Sequence, residues 1–447
     1  MTYTEALRYL ESFINYENIP AWPYKQSLKL QRFKDFLLEL GNPQYRLRCI
    51  HVAGTKGKGS TSVFIAYILR AAGFKVGLYT SPHLADFRER IRILDKNSYH
   101  KTAVPDFEGM ISRRDLARLV RGIKPYITKF NHKSKYGYLS FFEVYTAVAF
   151  LYFKERKVDF AVLETGLGGR LDATNTVRPL VCAITPISYE HTQKLGKTLK
   201  EIATEKAGII KKNPQQDLIV INAPQKPEVA RVIRQRCKKI RAKLYQVGKD
   251  IRYSNKNNRL EIRGLFGGYR NLKIKLIGKH QAINAAVAVG AVEGLRFHNI
   301  RVNSKSIRKG LSSTAWPGRC EVIKRRPDVV IDGAQNKASA KILKEAIRSN
   351  FKYRRLILVL GISNDKDING ISSELHDLAD KVILTRANNP RATLPRDLAS
   401  YFMDKELFIT ENVQEAKKQA LALAGGKDLV LVCGSLFVAG EFRNDVL

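Results

Sequence analysis

Cysteine is scarce in this chain, and its spacing excludes two common ways of stabilising a fold. The sequence of 447 residues has five cysteines, and no two of them form a Cys-x-x-Cys pair. Disulfide scaffolds and structural zinc sites both need closely spaced cysteines. The sequence therefore predicts a protein of a reducing intracellular compartment. Its cysteines are expected to be free thiols: Cys49, Cys182, Cys237, Cys320 and Cys433.

Long apolar segments are also missing. The longest apolar run, at 144–153, is too short to cross a bilayer. Residues 1–5 lack the basic region and apolar core of a secretory signal. Hydrophobic residues still make up 44% of the chain, which is enough for a substantial core. We expect a soluble, cytoplasmic protein that has no membrane partner.

Acidic residues are few: 41 Asp and Glu stand against 78 Lys and Arg, which gives a formal net charge of +37. Such an excess could mark a polyanionic partner or only a solvated basic surface. In the densest segment, 231–241, the apolar residues fall at helical spacing and predict an amphipathic helix with a basic outer face. This pattern favours the solvated surface, so we expect no nucleic-acid partner.

Strand and helix patterns alternate through most of the chain, which predicts an α/β fold. We expect mainly parallel sheets and a domain boundary near residue 311, which divides the chain into a larger unit at 1–310 and a smaller α/β unit at 311–447. Helices are predicted at 27–40, 60–72, 140–153 and 282–295, a polar loop at 95–109 and an antiparallel region at 250–276. The predicted strands are 75–80, 158–163, 180–185 and 217–222 in the first part, and 329–332, 356–361, 381–385 and 429–433 in the second.

The segment 51–61, His-Val-Ala-Gly-Thr-Lys-Gly-Lys-Gly-Ser-Thr, predicts a strand, a glycine turn and a helix start. Backbone N–H groups converge on phosphate oxygens at such a place. Lys58 would reach the β- and γ-phosphates, and Ser60 or Thr61 would hold Mg²⁺. The strict P-loop pattern is broken by a short first spacer and by Gly59. The predicted nucleotide-binding residues of this loop are Gly54, Thr55, Gly57, Lys58, Gly59, Ser60 and Thr61.

A second glycine-rich run, at 163–175, follows another buried strand. Glu164 stands at the carboxyl end of that strand, where acidic residues reach bound metals in open α/β sheets. The alternative is a plain turn in which Arg170 and Asp172 form a local ion pair.

Two further residues are candidate functional groups: His191, which could share a metal site with Glu164, and Lys206. His191 follows a third strand end, in the segment 185–192. Lys206 interrupts a small apolar helix, where burial would lower its pKa and make the neutral amine a nucleophile. A lone histidine in a loop is more often structural, and a helical lysine can extend to water instead.

Taken in order, these segments resemble the folylpolyglutamate synthase/dihydrofolate synthase family of the Mur ligase superfamily. The phosphate loop alone indicates a Mur-type ligase. The run Leu-Glu-x-Gly-Leu-Gly-Gly-Arg-Leu-Asp-Ala-Thr-Asn is more specific to the folate branch. The resemblance rests on the segments 51–61, 79–84, 164–175, 191–192, 205–211, 316–319, 332–336 and 433–436.

The resemblance implies an ATP-dependent ligase that adds L-glutamate to dihydropteroate, to reduced folates or to both. A carboxylate of the pterin substrate attacks the γ-phosphate of ATP, and the amine of glutamate then displaces phosphate from the acyl phosphate. Such transfers depend on positioning and charge neutralisation. The family also implies two Mg²⁺ sites and a monomer. For the fold, it implies an N-terminal P-loop-type ATPase domain, the Mur-ligase-type central domain, at 1–310 and a smaller Rossmann-like α/β domain, the Mur-ligase-type C-terminal domain, at 311–447.

The same resemblance implies site residues beyond the loop. Lys58, Lys206, His191 and Arg319 would be catalytic. Ser60, Ser81 and Glu164 would hold one Mg²⁺, His191 a second, and Lys206 would be carbamylated into a metal ligand. Nucleotide contacts are implied for Asn284, Arg319 and Asp332. The pterin would be bordered by Ser140, Phe142, Glu143, Leu171, Asp172 and Ala173.

Four positions depart from the family pattern. The family usually has Asn at Lys56, Asp at Glu190, Thr at Ser140 and His at Gln335. None of these changes removes a phosphate-binding or metal-binding group, so we expect an active enzyme.

Two other functions remain open. A cell-wall-precursor Mur ligase would share the chemistry, but it would carry a further N-terminal domain, and only about fifty residues precede the loop. A basic nucleic-acid-binding P-loop NTPase would explain the net charge, but the sequence has no recognisable nucleic-acid motif.

Overall fold

The computed structural model describes residues 1–17, 19, 22–96, 107–256 and 259–444. Its helices are α1 (Tyr3–Glu11), α2 (Tyr24–Ser27), α3 (Leu30–Glu39), α4 (Lys58–Ala71), α5 (Arg113–Lys133), α6 (Phe141–Glu155), α7 (Thr192–Leu195), α8 (Leu199–Lys206), α9 (Pro227–Ile240), α10 (His280–Gly294), α11 (Ser304–Ser313), α12 (Lys337–Asn350), α13 (Ile368–His376), α14 (Val413–Leu423) and α15 (Leu436–Asn444).

The strands are β1 (Cys49–Ala53), β2 (Val76–Tyr79), β3 (Ile91–Leu94), β4 (Phe160–Glu164), β5 (Pro179–Ile184), β6 (Ile219–Asn222), β7 (Lys243–Gln246), β8 (Arg252–Lys256), β9 (Arg259–Arg263), β10 (Gly268–Leu272), β11 (Glu321–Lys324), β12 (Asp328–Ile331), β13 (Leu356–Leu360), β14 (Lys381–Leu384), β15 (Glu406–Ile409) and β16 (Leu429–Cys433).

The strands form three sheets. A seven-stranded sheet has the order β3-β2-β4-β1-β5-β6-β7, and a six-stranded sheet has the order β11-β12-β16-β13-β14-β15. Both are parallel except for β3 and β11, which are antiparallel edge strands. Strands β8 to β10 form a separate antiparallel sheet within the segment 250–276. The predicted α/β class with mainly parallel sheets is confirmed.

Alternating side chains of β1 show how the layers are arranged. Ile50 and Val52 pack into a core with α4, α10 and α11, whereas Cys49 packs on the opposite side with α3, α5 and α6. The six-stranded sheet is covered in the same way, by α12 and α13 on one face and by α14 and α15 on the other. Parallel strands buried on both faces account for their continuous apolar runs.

The sequence did not predict four strands, and all four lie at sheet edges. These are β3 and β7 in the seven-stranded sheet and β11 and β15 in the six-stranded sheet. Three of them, β7, β11 and β15, have no buried residue. An edge strand with charged or half-exposed residues lacks the apolar run that identifies a central strand.

The helix predicted at 27–40 is wrong in its first turn. The chain instead forms α2 and α3, separated by extended backbone at Leu28 and Lys29. The interruption leaves the carbonyl of Ser27 free to accept a hydrogen bond from Arg32, at 3.3 Å.

Of the polar loop predicted at 95–109, residues 97–106 lie outside the described part of the chain.

The amphipathic helix predicted at 231–241 is confirmed. Helix α9 buries Val229, Ile233 and Cys237 and exposes most of its cations, as the amphipathic pattern indicates. All five cysteines are free and buried. In the described ranges, no helix combines the length and hydrophobicity needed to cross a bilayer.

The predicted boundary near residue 311 falls inside α11, which packs against α4. The six-stranded sheet begins only at Glu321. A Cβ added at Gly310 would lie 2.4 Å from the Cα atom of Ile68 in α4, so the two helix backbones are in close contact there. The division into two domains stays a prediction, and we propose that the break lies between Ser313 and Glu321.

The close packing of α11 on α4 makes Gly310→Ala a test of the fold. We expect a loss of about 1–3 kcal/mol of unfolding free energy, because the added methyl group collides with helix backbone. The matched control is Gly122→Ala in α5, where nothing lies within 4 Å and alanine should stabilise the helix by about 0.5–1 kcal/mol. Urea denaturation of both variants measures the difference. Equal stability of Gly310→Ala and the parent protein would contradict this packing.

Candidate active site

Three of the predicted functional segments meet at one edge of the seven-stranded sheet because their strands are neighbours and end level. In the parallel register, Val52 of β1 pairs with Glu164 of β4, and Ala53 of β1 pairs with Ile184 of β5. The segment with Ser81 follows β2, the next strand beyond β4. The carboxyl edge of a parallel sheet is where open α/β folds bind their ligands.

The phosphate loop joins β1 to α4 without any side-chain cap. Helix α4 begins at Lys58, two residues earlier than predicted, and Gly57 precedes it with φ +83° and no side-chain hydrogen bond. The first backbone N–H groups of the helix therefore remain available for an anion. Ser60 and Thr61 lie in this first turn, and the buried hydroxyl of Thr61 has no hydrogen-bond partner within the described residues.

Glycine is required in this loop because neighbouring groups occupy the space of a side chain. A Cβ at Gly57 would lie 2.2 Å from Oδ1 of Asn284 in α10, and one at Gly54 would lie 1.9 Å from Oγ1 of Thr185. The turn is anchored further by the N–H groups of Thr55 and Lys56, which both donate to the carbonyl of Pro186, at 3.0 and 3.2 Å. The predicted nucleotide residue Asn284 thus lies directly against the loop.

Glu164 has the environment of a cation ligand. Its carboxylate is buried, and burial raises its pKa, an effect that the charges of Lys58 and Arg319 only partly offset. The backbone N–H of Ser81 donates to Oε2 at 3.2 Å. A buried carboxylate provides the kind of oxygen ligand that Mg²⁺ prefers. In the described ranges, no three His, Cys, Asp or Glu side chains converge, so the predicted ligand set is of mixed type.

Lys206 lies buried at the end of α8, directly behind the phosphate loop. Its ammonium group donates to the carbonyl oxygen of Gly54 at 2.7 Å. Burial and the nearby charge of Lys58 lower the pKa of Lys206 to about 7. The structure therefore places Lys206 against the loop, and its side chain does not extend to water.

The unusual Lys56 forms an ion pair instead of pointing freely at the loop. Its Nζ lies 2.6 Å from Oε1 of Glu190, which is the second departure from the family pattern. Although burial opposes the charged carboxylate, Lys56 and Lys58 lower the pKa of Glu190 to about 2. Asn336, at the start of α12, donates to the same Glu190 oxygen at 3.3 Å. His191 follows with φ +52°, and its side chain is exposed.

The segment leading to the six-stranded sheet reaches the loop as well. The ring of Trp316 lies 3.0 Å from the Cβ position of Gly59. Arg319 is close enough to influence the pKa values of both Glu164 and Asp332. Asp332 accepts hydrogen bonds from the backbone N–H groups of Cys320 and Ala334, each at 2.8 Å, so its carboxylate fixes the turn after β12.

The polar side chains predicted to border the pterin mainly hold the structure together. Ser140 and Glu143 form a capping box at the start of α6. Arg32 of α3 binds both oxygens of Glu143, at 3.1 and 2.8 Å, in a buried pair. Phe142 is half-buried and lies against Gly166, where an added Cβ would be 2.7 Å from Cζ of the ring.

Asp172 is the organising residue of the second glycine run. Its Oδ2 accepts from the N–H groups of Gly166 and Leu167, each at 2.9 Å, and its Oδ1 accepts from the N–H of Thr174 at 3.0 Å. The hydroxyl of Thr174 in turn contacts Nε2 of the buried His51 at 2.8 Å. Leu171 and Ala173 flank this carboxylate in the chain, half-buried and buried respectively.

The alternative interpretation of this run, a local Arg170–Asp172 pair, is wrong. Arg170 instead pairs with Glu205 of α8 at 2.8 Å, and the hydroxyl of Tyr24 donates to the same carboxylate at 3.3 Å. The run is thereby fastened to the helix that carries Lys206. Arg32, His51 and Tyr24 could not be recognised from local patterns, because their partners are more than a hundred residues away.

The lack of space at Gly57 makes Gly57→Ala a test of the loop. We expect ADP affinity to fall about tenfold or more, because the methyl group would strain a left-handed backbone and collide with Asn284. The control is Gly41→Ala, which has φ +72° but no neighbour within 4 Å. This control should lose stability while keeping its affinity for ADP. Isothermal titration calorimetry measures both, and unchanged ADP binding by Gly57→Ala would refute the assignment of the loop.

Comparisons with known proteins agree with this geometry. Residues 123–292 match the model of the Mur ligase middle domain, and residues 318–436 match that of the Mur ligase glutamate ligase domain. The dihydrofolate synthase/folylpolyglutamate synthase of Bacillus subtilis is 34% identical over 97% of this chain and 99% of its own length.

Solved structures are similar over the same extent. Mycobacterium tuberculosis folylpolyglutamate synthase complexed with ADP has a TM-score of 0.85 and 30% identity, covering 99% of this chain and 98% of its own. Escherichia coli FolC in complex with DHPP and ADP has a TM-score of 0.80 and 29% identity, covering 99% of this chain and 96% of its own. The chain therefore belongs to the dihydrofolate synthase/folylpolyglutamate synthase family of Mur-type ligases.

Proposed function

We propose that this protein is an ATP-dependent ligase that adds L-glutamate to dihydropteroate, to folates or folate polyglutamates, or to both, through an acyl phosphate. The observation that carries the proposal is the uncapped start of α4 beside a buried Glu164 and a buried Lys206. The unpaired N–H groups at the start of α4 can bind a triphosphate. Phosphoryl transfer needs charged groups next to the phosphates, and Glu164 and Lys206 lie there. Family membership supports the substrate class.

The chain's own residues supply positioning and charge. The N–H groups of Lys58, Gly59 and Ser60 and the ammonium of Lys58 bind the β- and γ-phosphates. A substrate carboxylate oxygen then attacks the γ-phosphorus, and the bond to the ADP oxygen breaks. Arg319 approaches from the segment before β11 and balances the negative charge of the transferred group. The amine of glutamate next attacks the acyl carbon, loses a proton, and inorganic phosphate leaves.

Magnesium fits the residues present. We propose that Ser60, Ser81 and Glu164 hold one ion and that His191 contributes to a second. When bound, Mg²⁺ would neutralise phosphate charge and hold the β- and γ-phosphates in place. The ion would also relieve the cost of burying Glu164, whose pKa burial raises.

The pterin would lie between the start of α6 and the second glycine run. Because Ser140, Glu143 and Asp172 already bond to the protein, we propose that they border the pterin chiefly by fixing the walls of its site. Phe142, Leu171 and Ala173 would provide apolar contact with its ring. Asn284 and Asp332 would border the nucleotide from the other side.

We also propose that Lys206 is carbamylated. Its lowered pKa means that a large fraction of the amine is neutral near pH 7–8, and CO₂ adds to neutral amines. The product is an anion, which the neighbouring positive charge of Lys58 favours over a second cation. A carbamate would give the site a second carboxylate-like ligand beside Glu164.

Carbamylation can be tested with ¹³C-bicarbonate. We expect a carbamate signal in the ¹³C spectrum of the protein with Mg²⁺ and an ATP analogue, and its loss in Lys206→Met. The matched control is Lys211→Met, because burial also lowers the pKa of Lys211 to about 7 and its amine likewise contacts a backbone carbonyl. A signal that persists in Lys206→Met, or that disappears only in Lys211→Met, would refute the proposal.

The proposed reaction is tested by a substrate panel. Dihydropteroate and tetrahydrofolate are tested separately, each with Mg²⁺, ATP and purified protein. ADP should be released only when L-glutamate is present together with at least one of these two pterins. Lys58→Met should reduce turnover by about a hundredfold or more, because it removes a charge that stabilises the transition state. Turnover on a nucleotide-linked muramyl substrate but not on the pterins would reassign the protein to the cell-wall ligases.

A further inference from the structure

The outer face of the three-stranded sheet carries an unusual row of like charges. Arg252 of β8 lies directly opposite Arg263 of β9 in the antiparallel register. Arg259 and Arg270 are exposed on the same sheet. Like charges directly opposite each other destabilise a sheet. Within the described part of the chain, none of these four arginines forms an ion pair, so the protein itself does not offset the cost.

The orientation of this face is fixed by the other side of the sheet. Leu260, Ile262, Tyr269 and Leu272 are buried in the core that contains α10. A slip of one residue in register would bury the arginines and expose these apolar side chains, so the cations are held outward. Arg252, Arg263 and Arg270, together with Glu261, line a groove of about 680 Å³ that runs along the sheet to the turn at Phe266.

A row of aromatic rings continues from that turn. Phe266 lies 5.3 Å from Phe297, which stacks on Tyr245 at 5.6 Å with 15° between the planes. Phe266 and Phe297 are 43% and 37% exposed. Two cations lie over the rings: Arg296 is 4.6 Å from the centre of Phe266, and Lys243 is 5.4 Å from that of Phe297.

The charge of the surrounding segment is predominantly positive. Residues 241–310 contain 16 Lys and Arg but only three Asp and Glu. One of the three, Glu293, is buried and accepts a hydrogen bond from the hydroxyl of Tyr269 at 2.7 Å. The acidic side chain on the outer face itself is Glu261. The groove and the aromatic row therefore lie in a strongly positive field.

From these observations we propose that the groove and the adjoining aromatic row bind single-stranded nucleic acid. The phosphates would follow the arginines Arg252, Arg263 and Arg270, and unstacked bases would lie on Phe266 and Phe297. A positive groove next to exposed rings is the combination that binds single strands without sequence preference. A duplex keeps its bases stacked and could use only the charges. This binding would be separate from the ligase reaction, and it revises the expectation that the basic surface has no nucleic-acid partner.

Helix α9 offers a built-in comparison, because it has a basic face without these features. Arg231 and Arg234 are exposed on a helix whose buried side packs against α8. Reversing two charges there changes the net charge of the protein by the same amount as reversing two charges in the groove. General electrostatic attraction would be affected equally by both changes.

The experiment measures fluorescence anisotropy of labelled oligo(dT) and oligo(U) over a range of salt concentrations. Arg252→Glu/Arg263→Glu should weaken binding about tenfold or more and lower the salt slope by about 1.4, as expected for two lost phosphate contacts. The control Arg231→Glu/Arg234→Glu should change affinity less than about twofold. Phe266→Ala/Phe297→Ala should weaken single-strand binding about fivefold or more and leave the salt slope unchanged. ADP formation should remain normal in all three variants.

Three results would overturn the proposal. The first is no binding of either oligonucleotide at low salt by the parent protein. The second is an equal loss of affinity in the groove variant and the α9 control, which would show only general attraction. The third is binding to vesicles of anionic phospholipid that exceeds binding to oligonucleotides and is lost in the groove variant, which would identify a membrane-surface site instead. Thermal melting of each variant confirms that it is folded.

Discussion

The parallel alignment of β4, β1 and β5 is the constraint on which the candidate site depends. Because the three strands end level, the residues that follow them lie within hydrogen-bonding range of one another. The carbonyl of Pro186 can then hold two N–H groups of the phosphate loop, and Lys206 can reach the carbonyl of Gly54. No single loop makes the site; the sheet brings its parts together.

Much of this arrangement could be predicted from the sequence. The spacing of the glycines at 54–59 and the apolar run before them predicted the phosphate loop. The order of the motifs along the chain indicated the ligase family. The edge strands and the structural partners were not predictable in the same way. Arg32 and Glu143 are 111 residues apart, and His51 and Thr174 are 123 apart, so no local pattern links them. Arg170 illustrates the limit most clearly, since its true partner is Glu205 and not the nearby Asp172.

The two charged departures from the family pattern compensate each other. Taken alone, Lys56 adds a positive charge to a loop that already contains Lys58, and Glu190 only lengthens an acidic side chain. In the structure the longer glutamate reaches the added lysine at 2.6 Å, so the pair contributes no net charge beside the phosphates. Asn336 joins the same carboxylate from the start of α12. The outer face of the three-stranded sheet differs, because its four arginines have no acidic partner of this kind among the described residues.

The contact between Trp316 and Gly59 gives the protein its own optical reporter. The indole ring lies against the first turn of α4, and its N–H is buried without a hydrogen-bond partner in the described part of the chain. The chain has only one other tryptophan, Trp22, which lies 4.4 Å from Tyr16 near the N-terminus. Indole emission depends on the polarity around the ring. The tryptophan fluorescence of a Trp22→Phe protein would therefore arise from one indole ring, placed where the phosphate loop and the segment leading to the six-stranded sheet touch.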